Sequence, residues 1–202
     1  MPRPCHVIGI TGGISTGKST FSQRLRQLAH AKLFDADQAA RQLVNEDTEV
    51  RRLLRQEFGA AIFSASDDLN RAALRAIIFA DQGKKRALEH ILHPRIRLQW
   101  ATEAETSRRS GKIFLADIPL LYETEGETLC DRVVVVACSQ KIQLQRLIAR
   151  TRLPPSDALA MISSQIPLPQ KISRADHVAW NNGPLSNLEA QAAMFARFLL
   201  GN

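Results

Sequence analysis

The chain is predicted to be an α/β protein built on a mostly parallel sheet, and three observations lead there. The apolar run Val7-Ile8-Gly9-Ile10 is followed at once by Gly12-Gly13-Ile14-Ser15-Thr16-Gly17-Lys18-Ser19, a complete G-x-x-x-x-G-K-S phosphate-binding loop. Two further near-continuous apolar runs, Ile113 to Asp117 and Arg132 to Ala137, suit parallel strands covered on both faces. Amphipathic stretches between the runs supply the crossover helices that such strands need. The 202 residues are enough for one core of this kind with a helical insertion.

His6 to Ile10 reads as a buried strand, and the loop leads into a helix from about Lys18 to Ala29 with Phe21, Leu25 and Leu28 as its stripe. Lys32-Leu33-Phe34 is a second short strand running into Asp35-Ala36-Asp37. Residues 38 to 108 are almost wholly helical by spacing, with Leu43, Val44, Leu53, Leu54 and Phe58 recurring and Gly59 breaking the chain. Asp67-Asp68-Leu69-Asn70 turns into a helix from Arg71 to Ala80, with Asn70 as its N-cap. Leu88, Leu92, Ile96 and Trp100 then fall four apart, around a Pro94 that interrupts or kinks their helix. So long a stretch between two strands predicts a helical subdomain beside the cleft. The sheet resumes at 112 to 117 and 132 to 137. Residues 140 to 164 are mainly helical, broken at Leu153-Pro154-Pro155, with Ser156 capping the second piece. The Pro-rich stretch 166 to 174 reads as loop or a short turn, Asp176 to Trp180 as the last strand, and Leu185 to Leu200 as a closing helix behind the Asn181-Asn182-Gly183-Pro184 turn.

The formal net charge of +7 fits either nucleic-acid binding or an enzyme that handles polyanionic small molecules. The basic residues are scattered over helices, and the densest run, Arg51-Arg52-Leu53-Leu54-Arg55, suits a solvated face, so nucleic acid is not expected as a partner. The three cysteines, Cys5, Cys130 and Cys138, form no C-x-x-C pair, and Cys138 reads as a core thiol at a strand end, which points to a reducing compartment. No leader-like segment opens the chain and no run of 18 apolar residues occurs, so neither a signal peptide nor a membrane span is expected. A cytoplasmic monomer is the expectation, with weak self-association left open.

Gly12, Gly13 and Gly17 let the backbone wrap around phosphate oxygens, with successive N–H groups and a helix N-terminus facing the anion. The whole run through Thr20, including Ile14, Ser15 and Thr16, is expected to line the nucleotide, with Thr20 as a cap or core contact. Lys18 is placed to reach the β and γ phosphates and Ser19 to ligate Mg2+. Asp117 ends an apolar strand, where a second metal ligand belongs, although a loop cap would also end so. Asp35 and Asp37 stand at the carboxyl end of the second strand, the edge where open α/β sheets bind ligands. With strand alternation both would enter one cleft, and Asp37 is favoured as the base that deprotonates an alcohol acceptor; a helix-capping pair is the alternative. Arg41, one turn on, would bind a substrate phosphate or lie on the surface. Arg146, Arg150 and Arg152 suit a segment closing over a triphosphate, or a solvated helix. His93 has no companion at a metal-ligand spacing. No Asn-Lys pair and no D-x-x-G occur, which argues against a GTPase.

Several segments are more particular than the loop: Asp35-Ala36-Asp37 with Ala40-Arg41, Leu69-Asn70-Arg71-Ala72-Ala73-Leu74, Leu88-Glu89-His90-Ile91-Leu92-His93-Pro94, Asp117-Ile118-Pro119-Leu120-Leu121-Tyr122-Glu123, and Gln143-Leu144-Gln145-Arg146. Gln165, Lys171, Ala175-Asp176 and Asn181-Asn182-Gly183 complete the set. Together these resemble the dephospho-coenzyme A kinase family nearly end to end. The resemblance implies a three-layer P-loop kinase fold in three parts: a nucleotide-binding core (1–37, 109–139, 175–202), a helical coenzyme A subdomain (38–108) and a small lid (140–174). It implies ATP and Mg2+, phosphorylation of the ribose 3'-hydroxyl of dephospho-coenzyme A, Asp37 as base and Arg41 on the substrate. It further implies Arg146 on the lid side, Asn182 in a turn by the adenine, and His93, Pro94, Leu120 and Leu121 around the acceptor. Two positions depart from the family pattern: Ser15 stands where Gly is usual, acceptable if its φ is not positive, and Trp180 stands where Asp is usual. A kinase for another small alcohol or nucleoside, and a nucleic-acid-associated ATPase, are the competing readings.

Overall fold

The computed structural model describes residues 6–201, so Cys5 lies outside the described residues. Its strands are β1 (Val7–Gly12), β2 (Lys32–Asp35), β3 (Phe114–Asp117), β4 (Arg132–Ala137) and β5 (His177–Trp180). Its helices are α1 (Lys18–Leu28), α2 (Ala36–Glu46), α3 (Thr48–Phe58), α4 (Arg71–Ala80), α5 (Gln82–Arg109), α6 (Gln140–Thr151), α7 (Pro155–Ser163), α8 (Leu168–Ser173) and α9 (Leu185–Leu200). The strand order is β2-β3-β1-β4-β5 and every pairing is parallel. Two compact units make up the fold: one contains the sheet, from the described residues through Asp35 and from Ala101 onward, and the other is Ala36–Trp100.

In the first unit β1 is the central strand and is buried along its whole length. Ile8 and Ile10 face α1 and α9, where Phe21, Leu25, Leu188, Ala192 and Phe195 join Val134 and Val136 in one cluster. Gly9 faces the other way, and Leu121 and Cys130 fill the space over it. Burial pushes the Cys130 thiol up to about 12, helped by the neighbouring Asp131 carboxylate, so it is chemically quiet. At the amino edge of the sheet, Asp131 Oδ2 accepts the N–H groups of His6 (2.9 Å) and Val7 (2.8 Å), and Oδ1 pairs with Arg108 at 2.9 Å. Asp176 repeats the device one strand over, with Oδ2 accepting Val133 N–H at 2.8 Å and Oδ1 meeting Arg132 at 2.7 Å. Each carboxylate stands just before one strand and ties it to the start of the next. At the sheet's outer edge, the Gln191 side chain accepts Trp180 N–H and donates to Trp180 O, both at 2.8 Å.

The second unit packs Val44, Val50, Leu54, Ile62 and Leu74 into its own core. Asp47 caps α3 by accepting Val50 N–H at 2.9 Å, and Asn70 caps α4 by accepting Ala73 N–H at 3.0 Å, the latter as the sequence predicts. Four expectations need correction. Of the two expectations for Pro94, interruption does not occur: α5 continues from Gln82 to Arg109 with the proline inside it, at the loss of one helical N–H bond. Strand β2 ends at Asp35 and α2 begins at Ala36, so Asp37 lies in a helical first turn. Ser156 caps nothing: α7 starts at Pro155, and the Ser156 hydroxyl meets Asp157 Oδ1 at 3.3 Å. Residues 166–174 contain a helix, α8, started behind Pro167. In both α7 and α8 proline at the entry presets φ and removes an N–H that would lack a helical partner, so no side-chain cap is needed. Among the described residues no helix is long and apolar enough to cross a membrane.

Candidate active site

The phosphate-binding loop joins β1 to α1 at the carboxyl edge of the sheet. Gly12, Gly13 and Gly17 all answer to protein neighbours, Gly13 to Gln143 Nε2. A Cβ on Gly12 would sit 2.4 Å from the Val136 carbonyl oxygen, and one on Gly17 would sit 2.2 Å from Asn181 Nδ2 at a backbone φ of 96°. Thr16 is buried and its hydroxyl closes the turn on Gly13 O at 2.9 Å. Ser15 overturns the condition set for it: its φ is 59°, in the left-handed region, and its buried hydroxyl has no hydrogen-bond partner. Ile14, next to it, is held between two side-chain amides, with Gln143 Nε2 donating to Ile14 O at 2.9 Å and Ile14 N–H donating to Gln165 Oε1 at 3.2 Å.

Lys18, Ser19 and Thr20 form the first turn of α1. Thr20 is exposed and the N-cap position belongs to Gly17, so Thr20 is neither the cap nor the core contact expected of it; Phe21 and Leu25 carry the buried stripe. Lys18 Nζ forms an ion pair with Asp117 Oδ1, and Asp117 is 2% exposed as the last residue of β3. In register, Asp117 faces Ile10 on β1 and Asp35 on β2. Two carboxylates therefore leave neighbouring strands at one level, an arrangement that repels unless a cation stands by, and the Lys18 ammonium does so beside Asp117.

Arg146 on α6 is half-buried, with Nη2 3.5 Å from Asn181 Oδ1 and Nη1 buried without a partner. Asn181 Nδ2 in turn donates to Thr16 O at 2.8 Å, so Arg146 reaches the loop through one amide. Burial pushes the Cys138 thiol up, against the pull of the Arg146 guanidinium beside it. Arg150 and Arg152 are exposed. Asn182 Oδ1 accepts Ser139 N–H at 2.7 Å, which pins the turn after β5 to the start of α6.

In the helical unit, Asp37 and Arg41 are exposed one turn apart on α2, hence on one face. Arg41 lines a pocket of about 220 Å³ with Arg71 and Arg75, over apolar walls that include Val44, Leu74 and Leu92. His93 and Pro94 follow Leu92 on α5 but do not line this pocket. Burial lowers the proton affinity of His93, with Glu89 opposing and His90 adding, so its imidazole is neutral at pH 7. Leu120 is half-buried and Leu121 is a core residue of the sheet unit, 0% exposed.

The family profile described as dephospho-CoA kinase matches residues 6–187. The chain belongs to the dephospho-CoA kinase family. A dephospho-CoA kinase of Listeria monocytogenes is 39% identical over 196 residues, covering 96% of this chain and 98% of its own. One from Symbiobacterium thermophilum is 40% identical over 186 residues, covering 92% of this chain and 77% of its own. Among solved structures, TT1252 from Thermus thermophilus superposes with a TM-score of 0.74 at 32% identity, covering 96% of this chain and 98% of that one. Dephospho-CoA kinase from Campylobacter jejuni gives 0.67 at 24% identity over 96% and 97% of the two chains, and a shikimate kinase from Acinetobacter baumannii gives 0.53 at 16% over 98% and 94%; these two bear on the fold alone. As a dephospho-CoA kinase family member, the chain is a kinase of the P-loop fold. Its loop contacts Gln143, Asn181 and Gln165 are site neighbours that residue chemistry alone did not single out. Gln143 did leave a trace, a polar residue one turn before the fully buried Leu147, on a stripe otherwise apolar.

Proposed function

We propose that this dephospho-CoA kinase family member transfers the γ-phosphoryl group of ATP to the ribose 3'-hydroxyl of dephospho-coenzyme A, giving coenzyme A and ADP. The observation that carries the reading is the Lys18–Asp117 ion pair at the mouth of the phosphate loop, with Asp35 in register beside it. It joins the group that grips a triphosphate to the carboxylate that answers its metal.

In this reading Lys18 and the loop N–H groups bind the β and γ phosphates, and the partnerless Arg146 Nη1 offsets charge on the transferring group. Asp37 accepts the proton of the 3'-hydroxyl while that oxygen bonds to the γ-phosphorus and the bond from phosphorus to the ADP oxygen breaks. Arg41, Arg71 and Arg75 suit the phosphates of the acceptor, and the apolar walls between them suit its uncharged parts. Residues 140–174, which include Arg146 and Gln165, act as the lid that keeps water from the phosphorus.

The donor set fits Mg2+. Among the described residues no group of three His, Cys, Asp or Glu side chains forms a metal cage. Mg2+ asks for no such cage, since it binds one or two carboxylates together with substrate phosphates and keeps several waters. Ser19 and Asp117 would hold it, and when bound it supplies neutralisation of the phosphate oxygens.

The test is direct. The purified protein is incubated with Mg-ATP, with and without dephospho-coenzyme A, and products are read by mass. Coenzyme A equal to the ADP formed, with little ADP when the acceptor is absent, is the expected result. ATP consumed without coenzyme A would overturn the reading and favour another acceptor or an ATPase.

A further inference from the structure

Lys171 on α8 is 0% exposed, a rare state for a lysine. Its ammonium lies 2.8 Å from Glu123 Oε1 and 3.0 Å from Pro119 O, and donates a longer bond of 3.5 Å to Gly12 O, the first residue of the phosphate loop. Glu123 Oε1 also accepts Ile166 N–H at 3.0 Å. Pro119 O is shared with the Thr11 hydroxyl at 3.0 Å. One ion pair thus ties the end of β1, the segment after β3 and the chain just before α8. Gln165, adjacent to the anchored Ile166, is the residue that takes Ile14 N–H.

A buried ion pair is a poor device for stability, because apolar side chains of similar volume often do as well or better. It does fix direction and register. The loop it touches carries Ser15 at a positive φ, a conformation disfavoured for a residue with a Cβ. We propose that Lys171 and Glu123 are positioning residues for the nucleotide. They hold the Gln165 segment and Gly12 so that Ile14 is clamped between Gln165 and Gln143, and the loop stands in its phosphate-receiving shape before any phosphate arrives. The inference rests on the nucleotide-binding reading of the loop and goes beyond it in naming what keeps the loop in shape.

The experiment measures Mg-ATP and Mg-ADP affinity by calorimetry, KM for each substrate, and Tm. The variants are Gln165→Ala, Lys171→Met, and the double apolar variant Lys171→Met with Glu123→Leu. Loss of one such hydrogen bond is worth about three- to tenfold in affinity. Gln165→Ala is expected to weaken nucleotide binding and raise KM for ATP by about that factor, with Tm and KM for the acceptor unchanged. The double variant is expected to weaken nucleotide binding at least as much while folding. A purely structural pair would move Tm and leave nucleotide affinity alone. Unchanged affinity in Gln165→Ala, or in a folded double variant, overturns the proposal. If Lys171→Met does not fold, Gln165→Ala decides alone. Failure of the wild-type protein to bind nucleotide would instead remove the underlying reading of the loop.

Discussion

Asp37 is the proposed base, and Ser15 is one of the non-glycine residues held at positive φ. Asp37→Asn removes the proposed base and keeps the shape of the side chain. Turnover is expected to fall by about 100-fold or more while Mg-ATP affinity stays within twofold, since a positioned base contributes about 10²–10⁴-fold. Wild-type turnover in that variant would assign the proton to another group. Ser15 is held at φ 59° with its hydroxyl buried and unbonded. A left-handed residue with a Cβ costs about 1–2 kcal/mol, and Gly loses about 0.5–1 kcal/mol through its freer unfolded chain. Ser15→Gly is therefore expected to stabilise, raising Tm by about 2 °C at this chain length. A lower Tm in calorimetry would mean that the serine hydroxyl is engaged after all. The family resemblance flagged the position, but only the backbone angle shows that the side chain is borne at a cost.

At the scale of elements, legibility followed locality. Helix α4 and its Asn70 cap, β4 and α9 are all written in signals within one turn or one strand, and the sequence places them to the residue. The starts of α7 and α8 were missed because proline reads first as a breaker, while at an entry position it initiates. The loop itself was legible as a motif. Gln143, Gln165, Asn181 and Lys171 stand among the residues that carry the resemblance, but their role as the loop's supports was not legible, because they reach it across more than a hundred residues and no period or cap announces such a contact. The strand-starting carboxylates carry a prediction of their own. For Asp131, burial pushes the carboxyl up, but the Val7 N–H, Arg108 and the His6 N–H together bring it below the usual range; for Asp176, Arg132 and the Val133 N–H do the same. A carboxyl lowered in the folded state adds stability that is complete above its unfolded pKa of about 4 and is lost as pH falls through the folded value. Tm should thus drop as pH falls below about 4, and Asp131→Asn should lower Tm at pH 7 yet flatten that acid slope. An unchanged slope would place the acid sensitivity elsewhere.

For the whole molecule, the net charge of +7 is expected to draw polyphosphates to the protein. Raising salt from 0.05 to 0.5 M shortens the screening length to a few ångström. KM for both anionic substrates is expected to rise several-fold, with kcat changed far less; equal KM values at both salts would show that the charge serves solubility only. Another whole-molecule property follows from Gln191. A parallel sheet that stops must leave its last strand offering donors and acceptors to any passing chain, and β5 is such a strand, with Trp180 47% exposed. The carboxamide of Gln191 meets the Trp180 peptide with one acceptor and one donor, the same pair of groups a neighbouring backbone would bring. The side chain counterfeits the next strand for the length of a single residue. A second copy arriving at that residue would find both backbone groups already taken.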